Sequence, residues 1–252
     1  MLSIYVSGGG SGGFLNPSLT IMLHVFRGFP ARHIHSYILA QCLGAFTGAL
    51  LAFAMYSDAI YHLDGALLPE STGILLYTEP LPWISPATAF FSEFLGSAVI
   101  GCCILALGDS ANSPPGAGMH ALIIGLLITT CTMAFSYNTK GAFNPARDLG
   151  PRVAAIVVGY PSSVFTAYHN WWIWGPWVAC TLGALAGGLM YDTCVFRGGE
   201  SPINYSFQHY KVVGLKHKAW YLRTMRKHHA AAGVEQDIEK GVAEDNEARG
   251  IA

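Results

Sequence analysis

Residues 141–152 read GAFNPARDLGPR, and residues 11–20 read SGGFLNPSLT. Each stretch carries Asn followed by Pro and a small residue: Asn144-Pro145-Ala146 in the first and Asn16-Pro17-Ser18 in the second. Asn is a preferred helix N-cap and Pro a preferred first helical residue, so both pairs read as helix starts. The apolar stretches they open end near Phe26 and Val158. Helices of ten to fourteen residues rise only about 15–20 Å, too short for ~30 Å of hydrocarbon. Both therefore read as half-membrane helices, about 16–26 and 145–158. Each follows a non-helical, glycine-bearing approach, Gly8 to Gly13 and Lys140-Gly141. Such backbone is tolerated at membrane depth only where it is buried in protein or lines an aqueous path.

Working outward, four stretches are long and apolar enough to span: His35–Tyr56, Ala87–Leu107, Met119–Tyr137 and Trp171–Tyr191. Small residues recur within them at Gly44/Gly48, Gly96/Gly101 and Gly183/Gly187, as close helix packing in lipid requires. The composition agrees: 252 residues, 52% hydrophobic, 12% charged, with a mean hydropathy of +0.38. Charge is uneven, with 14 Asp, Glu, Lys and Arg in 1–197 and 15 in 198–252. No Lys or Arg lies between Arg32 and Lys140, which excludes a nucleic-acid-binding surface there. The chain divides into a membrane domain, 1–197, and a polar tail, 198–252, partly disordered by composition. Met1–Gly13 is Gly-rich and uncharged and does not read as a secretory signal. The six cysteines lack metal or CxxC spacing and read as small buried residues. No cofactor, metal site or nucleophile–base pair appears, so an enzyme is not expected.

Arg27, Arg32 and the basic tail flank a link, 57–86, that carries only acids: Asp58, Asp64, Glu70 and Glu79. By the positive-inside rule that link faces outward and the tail faces the cytoplasm. The two half-helices then run oppositely from N-termini that meet near the midplane. Each terminus contributes about +0.5 charge, which repels cations and hydronium. An N-cap Asn uses its oxygen on the helix, so its NH2 is expected to donate into a lumen. Arg147 adds a permanent cation with five donors. Together these groups suit a neutral, hydroxyl-bearing solute. Arg147 paired structurally with Asp148 is the blander alternative. Glu93, the only acid within the spans, is either a proton relay or, as favoured here, an acceptor for backbone N–H groups of a pore loop. His120 is read as a packed core residue.

The stretches 11–20, YILAQCLGAFTGAL (37–50), SEFLGSAVIG (92–101) and 141–152 resemble the major intrinsic protein family, the aquaporins and aquaglyceroporins. Asp148, Arg152 and Pro176, with the long link 57–86, resemble its glycerol-conducting branch. The resemblance implies an all-α helical bundle with two re-entrant half-helices, and passive passage of glycerol, other small polyols and water. It also implies a homotetramer in the plasma membrane and a filter of Arg147, Gly141 and Thr132, with Asp148 as support. Ser18, Lys140 and Trp177 depart from the family pattern. The family also places two full spans before the first Asn-Pro motif, so the first span and most of the second are expected to be missing. A truncated, non-conducting product that assembles with intact subunits is the alternative.

The basic, aromatic-bearing segment 211–229 is read as a solvated positive-inside flank; leaflet or partner-helix binding is the alternative.

Overall fold

A computed structural model describes residues 1–116 and 118–205, so the tail segments 211–229 and 235–247 lie outside the described residues. Those residues are helical, with no strand among them. In chain order the helices are α1 (Leu2–Ser11), α2 (Pro17–Arg27), α3 (Ala31–Asp64), α4 (Pro86–Gly108) and α5 (His120–Phe135). They continue with α6 (Pro145–Val158), α7 (Ala167–Trp172) and α8 (Cys180–Cys194), the last two joined by a π-helical Ile173–Ala179 around Pro176. The expected half-helices are α2 and α6, and each starts as read, with Asn as N-cap and Pro in its first turn.

Three elements differ from their expected extents. Gly8–Ser11 is helical within α1, so the non-helical approach shrinks to Gly12–Leu15. Glycine costs about 1 kcal/mol in a helix, but backbone at membrane depth must satisfy its own hydrogen bonds. Helix α3 runs past Tyr56 to Asp64 and stops only where Gly65 turns left-handed (φ 65). Acidic side chains at the membrane edge do not break a helix; a residue free to adopt positive φ does. Helix α5 has 16 residues, about 24 Å. Among the described residues three helices are therefore long and apolar enough to span, namely α3, α4 and Ser162–Cys194, with α5 as a shorter apolar helix.

Glycines set the main packing contact. A Cβ on Gly183 would lie 2.2 Å from the Phe94 carbonyl oxygen, and one on Gly187 1.9 Å from that of Ala98. Backbone thus meets backbone between α8 and α4, as the small-residue spacing implied. The α3–α6 contact is similar, with a Gly150 Cβ 2.6 Å from Phe46 N. Gly44 and Gly48 behave otherwise and have nothing within 4 Å among the described residues. Gly96 faces the Phe143 ring rather than a helix. His120 is exposed at the start of α5, not packed in a core. Cys131 and Cys180 are buried but Cys194 is exposed.

Half-helix α2 is tied at both ends to α8. The Ser18 and Thr181 hydroxyls lie 3.0 Å apart, and Arg27 makes a bidentate pair with Asp192, both contacts 2.8 Å.

Candidate functional site

The two Asn-Pro turns meet by a reciprocal exchange. Asn16 Nδ2 donates to the Phe143 carbonyl at 2.7 Å, and Asn144 Nδ2 donates to the Leu15 carbonyl at 2.9 Å. Phe143 precedes Asn144 and Leu15 precedes Asn16, so each amide holds the residue just before the other. The side-chain oxygens face their own helices: Asn16 Oδ1 accepts from Ser18 N at 3.0 Å, and Asn144 Oδ1 from Ala146 N at 3.0 Å and Arg147 N at 3.4 Å. The expectation of an NH2 free for the lumen is thereby corrected. One hydrogen on each amide secures the opposite loop.

The approaches are built alike. Gly12 and Gly13 have φ of 77 and 69, and Lys140 and Gly141 have 68 and 64. Ser11 Oγ and Thr139 Oγ1 each accept from the residue two positions on, Gly13 and Gly141, both at 3.4 Å. Behind the second loop stands Glu93, fully buried on α4. Its Oε1 accepts from the Thr139 hydroxyl (2.6 Å) and Ala142 N (2.9 Å). Its Oε2 accepts from Phe143 N (2.8 Å) and the Cys180 thiol (3.3 Å). Every donor here belongs to the loop or to the helix behind it, the arrangement of a structural acceptor. Behind the first loop Gln41 Nε2 donates to the Phe14 carbonyl at 2.8 Å.

A cavity of about 640 Å³ is lined by Ala40, Gln41 and Gly44 of α3, by Leu76, by the N-cap Asn144, and by Ala146 and Arg147 of α6, among others. Arg147 Nη1 donates to the Leu76 carbonyl at 3.0 Å. Asp148 pairs instead with Arg152, Nε to Oδ2 at 2.6 Å, which disposes of the Arg147–Asp148 alternative. Two residues of the expected filter do not line this cavity. Gly141 is buried in its loop, where a Cβ would sit 2.1 Å from Ser136 Oγ. Thr132 is exposed on α5, and its hydroxyl donates to the Ile128 carbonyl at 2.8 Å. Neither is among the cavity-lining residues. Leu76 and Gln41 are not legible in the sequence because a backbone carbonyl in a loop, or a lone amide on a helix, leaves no mark there.

Glu79 adds a titrating group beside this site. Its Oε1 is buried without a hydrogen-bond partner and lies 3.9 Å from Arg152 Nη1. Burial pushes its carboxyl above the usual range; Arg152 pulls it back, while Asp148 and Glu70 add to the rise. A carboxyl raised in the folded state is penalised once pH exceeds its folded value, and carries no penalty below its unfolded value of about 4.3. Glu79→Gln is therefore expected to raise the thermal midpoint at pH 7 by about 2–4 °C, the scale of about 1 kcal/mol. The gain vanishes near pH 4 in a melting series; an equal gain at both pH values would refute the assignment.

A bundle with two half-helices abutting N-terminus to N-terminus, and a cation at their junction, defines a multi-pass membrane protein of channel architecture. The chain belongs to the major intrinsic protein family, which matches residues 1–191. It is 47% identical over 239 residues to Aquaglyceroporin-4 of Botryotinia fuckeliana, covering 94% of this chain and 33% of that protein. It is 44% identical over 207 residues to the Aquaglycerol porin AQY3 of Saccharomyces cerevisiae, covering 81% of this chain and 32% of that one. The chain thus spans about a third of the length of these two relatives. Against an X-ray structure of the aquaglyceroporin from Plasmodium falciparum the TM-score is 0.69 at 29% identity, covering 76% of each chain.

Proposed function

We propose that this chain forms the conducting part of a passive channel for glycerol, other small neutral polyols and water that excludes protons and ions. The reciprocal Asn16–Phe143 and Asn144–Leu15 bonds carry this reading. They bring two helix N-termini to one point and set Arg147 beside Asn144 on the cavity wall. A polyol hydroxyl finds donors there, while hydronium meets about half a positive charge from each helix and a whole one from Arg147. The same chemistry favours no enzymatic step. Names of the relatives support the solute class, and Arg27 and Arg32 at the N-terminal end of α3 support a tail on the cytoplasmic side of the plasma membrane. Four copies assemble, each with its own path, and neither nucleic acid nor a cofactor takes part.

The test is stopped-flow light scattering on proteoliposomes holding the full-length protein that contains this chain. Glycerol entry is expected at least about tenfold faster than in empty vesicles, equivalent to a barrier lower by about 1.4 kcal/mol. Arg147→Val is expected to admit protons, read as dissipation of an imposed pH gradient. Water passage with glycerol excluded would overturn the polyol reading.

A further inference from the structure

The link between α3 and α4 touches the cavity only at Leu75 and Leu76, yet it is held by side chains that never reach the cavity. Arg152 is fully buried. Its Nη2 donates to Asp148 Oδ1 at 3.2 Å and to the Thr78 carbonyl, and its Nη1 to the Val164 carbonyl. The Tyr77 ring lies 4.4 Å from the guanidinium carbon. Asp148 Oδ1 in turn accepts from Thr78 N at 2.9 Å and from the Thr78 hydroxyl at 2.5 Å. Thr78 is thus gripped at its N–H, its C=O and its side chain together. Leu76 lies only two positions before it, a span of at most about 7 Å, so fixing Thr78 fixes the Leu76 carbonyl. That carbonyl is the one hydrogen-bond acceptor of the Arg147 guanidinium among the described residues.

We propose that Arg152 is a positioning residue for solute selection. Acting through Asp148 and Thr78, it sets where Leu76 holds Arg147, and so the width left for a small polyol. With the grip intact, Arg147 is drawn against the link. Without it, the guanidinium loses its acceptor and turns toward the hydrated cavity, taking up width that a polyol needs and a water molecule does not. This inference rests on the channel reading above.

The experiment compares glycerol and water permeability per inserted protein, for the full-length protein and its Arg152→Gln, Arg152→Lys and Thr78→Val variants. Thr78→Val keeps the backbone N–H and removes only the hydroxyl, so it tests the grip even if Arg152→Gln fails to insert. The glycerol-to-water ratio is expected to fall at least about fivefold in Arg152→Gln, the scale of one lost charge-assisted hydrogen bond. A fall of about twofold is expected in Thr78→Val, which loses one hydroxyl contact. Arg152→Lys, which keeps the charge without the fork, falls between wild type and Arg152→Gln. A merely structural role would lower both permeabilities together and leave the ratio alone. An unchanged or raised ratio in either inserted variant overturns the assignment. Failure of the channel reading shows separately, as wild-type vesicles that pass no glycerol.

Discussion

Glu93→Ala is expected to bring glycerol and water flux down to that of empty vesicles while the protein still reaches the membrane. The carboxylate holds loop 139–143 by three contacts, from the Thr139 hydroxyl and from the N–H groups of Ala142 and Phe143. Within that loop Lys140, Gly141 and Phe143 have φ of 68, 64 and 47. Left-handed backbone costs roughly 1–2 kcal/mol for each residue other than glycine, and persists only where surrounding bonds impose it. Removing the carboxylate strands two buried N–H groups at about 1–3 kcal/mol each. The loop then relaxes, and the Phe143 carbonyl that anchors Asn16 moves with it. Glu93→Gln, which keeps one acceptor oxygen, is expected to retain part of the flux and a higher melting temperature than Glu93→Ala. Wild-type flux in an inserted Glu93→Ala protein would show that the loop holds its shape unaided.

The second large effect concerns the scaffold. Gly187→Ala places a Cβ 1.9 Å from the Ala98 carbonyl oxygen, and the atom it meets is backbone that cannot rotate away. Helices α4 and α8 must separate, opening gaps along a contact that also includes Gly183 and Gly101. Overpacking of this kind costs about 3 kcal/mol or more. In detergent, size-exclusion chromatography is expected to show mostly aggregate, with a midpoint lowered by several degrees. Gly116→Ala, where a Cβ meets nothing within 4 Å among the described residues, serves as the neutral comparison. A monodisperse Gly187→Ala protein melting like wild type would contradict the backbone contact.

What could be read ahead of the structure was whatever chemistry enforces locally. Asn and Pro begin a helix by satisfying or removing its first N–H groups, so both half-helices started where expected. Their length against the bilayer then required them to end inside it. Glu93 was legible as an acceptor because an unpaired acid within a span is too costly to leave unused. Errors arose wherever spacing alone was asked to name a neighbour. Gly44/Gly48 and Gly183/Gly187 share one spacing, yet only the second pair meets a helix among the described residues. Asp148 is adjacent to Arg147 but reaches Arg152, because residues four apart share a helix face and adjacent ones do not. Of the glycine-bearing Gly8 to Gly13, expected to be non-helical, Gly8–Ser11 is helical, since propensity weighs little against the need to pair backbone at membrane depth.

By itself, then, the sequence determined the membrane character, the two half-helices and their start points, and the placing of a cation just inside the second of them. Each of these follows from local hydrogen-bond supply or from length against a fixed bilayer thickness. Only the tertiary structure decided how the two Asn-Pro turns grip each other, which side chains face the cavity, and how Leu76 comes to hold Arg147. Those contacts join residues 71 to 129 positions apart. No local preference encodes which loop carbonyl will stand opposite a given amide once the helices have packed.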